Sequence, residues 1–214
     1  MENSPVTTPD RKNYYNDAEE PTESEKVINK LKRLNISSLT HTFESYKAIT
    51  DNKNALEIMQ EVARGNSDRK FILLYGGPGT GKTHLIEATI IEWAKAGILC
   101  YYRTFSDIAR FLKGGLRIPD LYTQRFNTIR DTRKLIIDDF GMGTTESRFE
   151  ISDLEDIIDL RYRRRYYPDS KEITIMGSNK DIKELPDRVL SRFYDPEFGV
   201  VIYMGDKDYR RRKA

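Results

Sequence analysis

The 214-residue sequence predicts an α/β fold with a five-stranded parallel sheet flanked by helices, and three observations carry that expectation. Apolar runs at 71–75, 98–102, 134–140, 172–177 and 200–204 alternate with helix-compatible segments, as parallel strands joined by crossover helices require. The first run passes straight into a glycine-rich stretch. The third ends in two acids, Asp138 and Asp139, which fits a buried strand that releases its carboxylates at the C-terminal edge, where ligands bind in open α/β sheets.

Taken in order, residues 1–24 mix Pro5, Pro9 and Pro21 with acids and small polar residues and show no apolar period, so a disordered acidic tail is expected. Tyr14 and Tyr15 are its only aromatics. From Ser24 a short amphipathic helix over about 25–35 is predicted, with Val27, Ile28, Leu31 and Leu34 on one face, available to its own domain or to a docking partner. A second helix carries Leu56, Ile58, Met59, Val62 and Ala63 and stops at Gly65-Asn66. Just before it, Phe43 and Tyr46 are placed either to pack or to lie near a nucleotide base.

After the strand at 71–75 comes Gly76-Gly77-Pro78-Gly79-Thr80-Gly81-Lys82-Thr83. Its Gly-x4-Gly-Lys-Thr spacing lets the backbone wrap one anion with successive N–H groups, at the positive end of the following helix. Lys82 then reaches the β- and γ-phosphates, and the Thr83 hydroxyl can ligate Mg²⁺. This is a P-loop, and the stretch from Gly76 through His84 is the predicted nucleoside triphosphate cradle.

The helix that follows runs to about residue 95 and stops near Gly97, and 98–102 supplies the next strand. Ser106 or Asp107 is expected to cap a helix that Gly114-Gly115 ends, and Pro119 opens another through about Asp131. In Lys134-Leu135-Ile136-Ile137-Asp138-Asp139-Phe140-Gly141, the P-loop upstream turns a strand end into a Walker B site. Asp138 would hold Mg²⁺ through water, and Asp139 would orient or deprotonate the attacking water.

A helix over 147–167 gathers Arg161, Arg163, Arg164 and Arg165 at its C-terminal end among Tyr162, Tyr166 and Tyr167. Those cations either complement the helix dipole or track a phosphate backbone while the rings stack bases. The strand at 172–177 delivers Ser178 and Asn179, the latter placed to hydrogen-bond a γ-phosphate or simply to turn the chain. Pro186 opens a short helix in which Arg188 and Arg192 share a face. The fifth strand and a basic end, Asp208 to Ala214, close the chain.

The composition bounds the rest. Residues 1–24 carry a net charge of −4 while the whole chain stands at +2, so the body is basic and compatible with a polyanion partner. The single cysteine, Cys100, excludes an internal disulfide framework, and with only His41 and His84 beside it no structural zinc site is expected. The apolar runs are too short for a membrane span and the N-terminus has no leader pattern, so a cytoplasmic protein without membrane contact is expected.

The motifs GGPGTGKT, LIIDDFG, IIDLRYRRR, TIMGSN, LPDRVLSRF and DYRRR stand in the order and spacing of the AAA+ ATPases, and the chain resembles the DnaC and DnaI helicase-loader type, whose core the IstB transposition helpers share. The resemblance covers about residues 24–212 and implies ATP and Mg²⁺ as cofactors, with a single AAA+ domain over 25–214. It implies Asn179 as sensor 1, Arg192 as an arginine finger offered to a neighbouring subunit with Arg188 as the alternative, and Arg210 as sensor 2. The implied partners are a replicative helicase or a transposase, single-stranded DNA, and further copies of the chain. Two departures stand out: the segment ahead of the core is shorter than a typical loader's helicase-binding domain, and the zinc-binding cysteines of the DnaI type are absent; no lid subdomain is expected after the fifth strand, as the resemblance to DnaC implies. The alternatives are an IstB-like transposition helper, a small-molecule or nucleotide kinase whose arginines act in cis, and a nucleotide-gated binder in which the short Asp139 side chain slows hydrolysis.

Overall fold

A computed structural model describes residues 22–34, 36, 40–47, 52–141, 148–167 and 170–209. The expected tail with Tyr14 and Tyr15, and the basic end with Arg210, lie outside the described residues. Five strands form one parallel sheet in the order β2-β3-β4-β1-β5: β1 Phe71–Tyr75, β2 Tyr101–Thr104, β3 Lys134–Phe140, β4 Ile173–Ser178 and β5 Gly199–Tyr203. Each central strand alternates its side chains between two cores. On β1, Ile72 and Leu74 face one core while Phe71 and Leu73 face the other, and on β3 Ile136 opposes Leu135 and Ile137.

The first core is closed by α1 Glu23–Arg33, α2 Lys53–Arg64 and α3 Lys82–Lys95. The second is closed by α4 Phe105–Lys113, α5 Pro119–Arg130, α6 Arg148–Arg163 and α7 Asp187–Phe193. This three-layer packing is the predicted α/β architecture, with all five strands parallel.

Local chemistry moves several boundaries. α1 starts two residues before its expected region because Thr22 and Glu25 form a reciprocal capping box. Its apolar face turns inward: Leu31 is buried and Val27 and Leu34 pack partly against the core. The second strand begins at Tyr101 rather than at 98. Gly97 ends α3 in a left-handed turn, and the Ile98 N–H closes back onto the Trp93 carbonyl. Ile98 and Leu99 are therefore exposed, and only Tyr101–Thr104 pairs with β3.

α4 is capped by Thr104, whose hydroxyl accepts from the Asp107 N–H, and not by Ser106 or Asp107. α6 stops at Arg163 because the N–H groups of Arg164 and Arg165 tighten onto residues three back. The arginine cluster at that end is mainly internal. Arg161 is buried and donates to Thr174 Oγ1 and to the carbonyls of Arg130, Thr132 and Ile173, which ties α6 to α5 and β4. Arg163 pairs with Asp159, and Arg164 with Asp131 and Glu172. Among the described residues no helix is long and apolar enough to cross a membrane.

Candidate nucleotide site

All strands point their C-terminal ends to one edge of the sheet, and that edge collects the predicted site. The P-loop leaves β1 and enters α3, with Gly81 at φ +98 as the N-cap. A Cβ there would meet the Tyr46 ring at 2.9 Å, so glycine serves both the turn and the close approach of residues 40–47. Tyr46 also packs edge-on against His84, while Phe43 is buried in the first core. Phe43 is thus packing.

Lys82 is buried, and its Nζ donates to the carbonyls of Gly76 at 2.7 Å and Gly77 at 2.8 Å. The amine is held in the concave side of the loop, where phosphate oxygens would lie. The Thr83 hydroxyl donates to Asp138 Oδ2 at 2.9 Å and joins the start of α3 to the end of β3 across the sheet. Asp138 is almost wholly buried, and burial, followed by the neighbouring Asp139 charge, pushes its carboxyl above the usual carboxylate range. Opposing this are hydrogen bonds from the Asp139 N–H and Thr83 and the charge of Lys82.

Asp139 stands at φ +55, the only positive φ of a non-glycine among the described residues, where the β3–β4 register shifts between Ile137 and Phe140. Asp138 bonds Thr83, whereas Asp139 is bonded by Asn179. Asn179, just past β4, donates from Nδ2 to Asp139 Oδ1 at 3.2 Å, and its N–H is bonded to the Phe140 carbonyl. Because β4 lies between β1 and β3, Asn179 is delivered between the loop and the acids.

Three contributors escaped the motif reading. Gly177 on β4 lies against Asp138, where an added Cβ would come within 2.2 Å of Oδ1. A glycine inside a strand is the signal that could have found it. Tyr102 on β2 turns its hydroxyl toward Asp138 Oδ2 at 3.5 Å. The segment after β5 crosses the loop: the Gly77 N–H bonds the Gly205 carbonyl at 3.0 Å, and the Tyr209 N–H bonds the Gly79 carbonyl at 3.0 Å. That brings the chain to the rim of the P-loop one residue before Arg210.

Other predicted residues lie apart. The His84 imidazole turns to the 40–47 segment, donating from Nε2 to the Thr42 carbonyl at 2.9 Å and stacking on His41, and burial keeps its pKa low. Only its place in the first turn of α3 belongs to the cradle. Arg192 sits in the last turn of α7, donates to Asp159 at 2.6 Å and lies over the Tyr162 ring. Arg188 pairs with Glu155 and Asp156 on α6. Neither arginine has a hydrogen bond or ion pair with residues 76–84 of its own chain.

The donor set fits magnesium triphosphate. Among the described residues no three His, Cys, Asp or Glu side chains are grouped to hold a metal, whereas Thr83 and Asp138 offer two hard oxygens beside a phosphate-binding loop. Mg²⁺ takes few protein ligands and completes its shell with phosphate and water. A bound ion would neutralise the phosphates, while Thr83 and Asp138 fix its place and Asp139 and Asn179 stand beside it.

Comparison with known proteins agrees with this geometry. The sequence pattern of the family described as IstB-like ATP binding protein matches residues 19–184. The replicative helicase loader DnaC of Escherichia coli K12 is 29% identical over 158 residues, covering 71% of this chain and 62% of the loader. A match to the replication initiator DnaA 1 of Chlamydia trachomatis covers 75% of this chain at 26% identity and 35% of the initiator, so the chain spans about a third to three fifths of these curated relatives. Among solved structures, a DnaC helicase loader superposes with TM-score 0.63 at 22% identity, covering 77% of this chain and 97% of that one. A replication initiator DnaA bound to AMPPCP and single-stranded DNA gives 0.65 at 23%, covering 78% and 50%. These two likenesses establish the fold.

Proposed function

Since the chain belongs to the IstB-like ATP-binding family of AAA+ proteins, we propose that it hydrolyses ATP with Mg²⁺ and uses the cycle to deliver a replicative helicase onto single-stranded DNA. The observation that carries the ATPase part is the Thr83–Asp138 hydrogen bond with Asn179 on Asp139: three strand ends converge on one phosphate-binding loop. Lys82 and the loop N–H groups hold the β- and γ-phosphates, Asp139 orients the attacking water, and Asn179 fixes Asp139.

Among the described residues, no arginine has a hydrogen bond or ion pair with the P-loop that would aim a cation at the developing γ-phosphoryl charge. Arg192 is a cationic side chain on an outer helix, and all its contacts, with Asp159 and Tyr162, lie away from its own loop. We therefore assign it to the site of a neighbouring copy, which makes the active form an oligomer. The role of sensor 2 from the same chain is kept for Arg210 on the family resemblance alone. The likeness to DnaC over 71% of the chain favours helicase loading, and the DNA-bound initiator with the same fold favours single-stranded DNA as the second partner.

The expected result is that the chain co-purifies with its cognate replicative helicase, accelerates helicase loading on single-stranded DNA, and hydrolyses ATP faster when that DNA is added. Loss of all three effects would overturn the loader reading. The family match itself favours a second reading, a transposition helper. That reading predicts capture of a transposase and stimulation by duplex DNA instead.

A further inference from the structure

Parallel strands place every strand start at the edge opposite the nucleotide site, and three neighbouring strands start with cations. Arg69 and Lys70 precede β1, Arg133 precedes β3 and Lys134 opens it, and Lys171 precedes β4. The backbone hydrogen bonds Thr174 N–H to the Lys70 carbonyl at 2.7 Å and Ile173 N–H to the Arg133 carbonyl at 2.8 Å set these starts side by side. With strands about 4.8 Å apart, Lys70 and Lys134 flank Ile173 roughly 10 Å from each other.

None of these five cations forms an ion pair among the described residues. Of the nearby acids, Asp131 pairs with Arg130 and Arg164, Glu172 with Arg164, and Asp195 with Arg165, while Asp68 and Glu197 act on Lys70 only through their charge and Glu197 accepts from the Tyr166 hydroxyl at 3.5 Å. The five rest on neutral carbonyls or in solvent. Lys134 Nζ donates to the Lys171 carbonyl at 3.1 Å, Lys70 Nζ to the Arg165 carbonyl, and Arg69 to those of Pro196 and Gly199, while Arg133 and Lys171 are exposed. Burial, and then the charges of Arg161, Lys171 and Arg133, pull the Lys134 amine down to about 8, so the cluster repels itself.

Aromatic surface adjoins the stripe. Lys70 lies over the Phe198 ring, Tyr166 packs edge-on against the same ring, and Tyr166 and Tyr167 are 58% and 61% exposed. Cations without carboxylate partners attract a polyanion, and exposed rings beside them suit unstacked bases rather than a closed duplex. We propose that this strand-start edge is a binding surface for single-stranded DNA, with Arg69, Lys70, Arg133, Lys134 and Lys171 on the phosphates and Tyr166 and Tyr167 against bases. It rests on the reading above that single-stranded DNA is a partner. It places the strand across the sheet from the nucleotide, about 20 Å away at roughly 3.3 Å per strand residue.

The test is fluorescence anisotropy of a labelled oligo-dT against the full chain over a salt series, comparing wild type with the exposed pair Arg133→Ala/Lys171→Ala and with Tyr166→Ala/Tyr167→Ala. Each phosphate contact on a single strand contributes about 0.7 to the slope of log affinity against log salt, so the cation pair should lower the slope by about 1.4 and weaken binding about tenfold at low salt. The tyrosine pair should weaken binding with the slope unchanged, and both variants should keep the DNA-independent ATP hydrolysis of wild type. Unchanged affinity and slope in the cation pair, with wild type still binding, would overturn the surface and leave the loader reading standing. Absence of binding by wild type would overturn the surface together with single-stranded DNA as a partner. Equal losses on duplex and single-stranded probes would overturn the single-strand assignment.

Discussion

Lys82→Ala is expected to lower ATP hydrolysis by about 10² to 10³-fold and to weaken ATP binding, as measured by phosphate release and by fluorescent-nucleotide titration. The side chain is buried and its ammonium is held at 2.7–2.8 Å from the Gly76 and Gly77 carbonyls, inside the curve of the loop. On the proposed reading the ammonium exchanges these contacts, and a third to Thr80 Oγ1 at 3.3 Å, for β- and γ-phosphate oxygens, and alanine removes the charge that would stabilise them. Lys82→Arg should fail nearly as badly, because a planar guanidinium does not fit between those two carbonyls. Retention of wild-type turnover by Lys82→Ala would place the phosphates elsewhere.

The second large effect is expected at a residue with no side chain. Gly177→Ala puts a methyl group within 2.2 Å of Asp138 Oδ1 and 3.1 Å of Ile86, in a buried place where β3, β4 and α3 meet. Either Asp138 shifts or the strands part. On the proposed role of Asp138 in holding Mg²⁺, a displacement of about 1 Å lowers turnover roughly 10²-fold. Overpacking at such a site costs about 1–3 kcal/mol of stability. The variant should therefore fold with a lower Tm, bind ATP, and turn over poorly, and its loss should exceed that of Ser178→Ala one residue along. Full activity in Gly177→Ala would mean that Asp138 is not confined as the structure shows.

These two residues mark how much the sequence tells. Lys82, Thr83, Asp138 and Asp139 were legible because their chemistry is written in contiguous runs that also fix local structure: a loop between strand and helix, and a strand that ends in acids. Asn179 was legible because it ends the strand beside the P-loop. Gly177 and Tyr102 were not, since their nearness to Asp138 comes from lateral register across β2, β3 and β4. The apolar run at 98–102 was misread at its start because the left-handed turn at Gly97 draws Ile98 back onto Trp93. The arginines after Leu160 gave no choice between packing and binding, because the answer lay in distant carbonyls and carboxylates. Arg161 spends its donors on the loop before β3 and on β4, whereas Arg133 and Lys171 stay uncommitted.

Arg192 remains the pivot of the account. Its guanidinium is held by Asp159, whose carboxyl is kept low by the hydrogen bonds from Arg192 and Arg163 although burial alone would raise it. A side chain so anchored, on an outer helix and without contact to its own loop, acts on ATP only if a second copy brings its loop to it. The most direct measurement is hydrolysis by mixtures of Lys82→Ala and Arg192→Ala proteins, each expected to be strongly impaired alone. A shared site predicts that the mixture recovers activity, because an Arg192→Ala subunit has an intact loop and receives its guanidinium from a Lys82→Ala neighbour. A mixture no more active than its separate components would contradict the shared site and return the catalytic cation to the chain that binds the nucleotide.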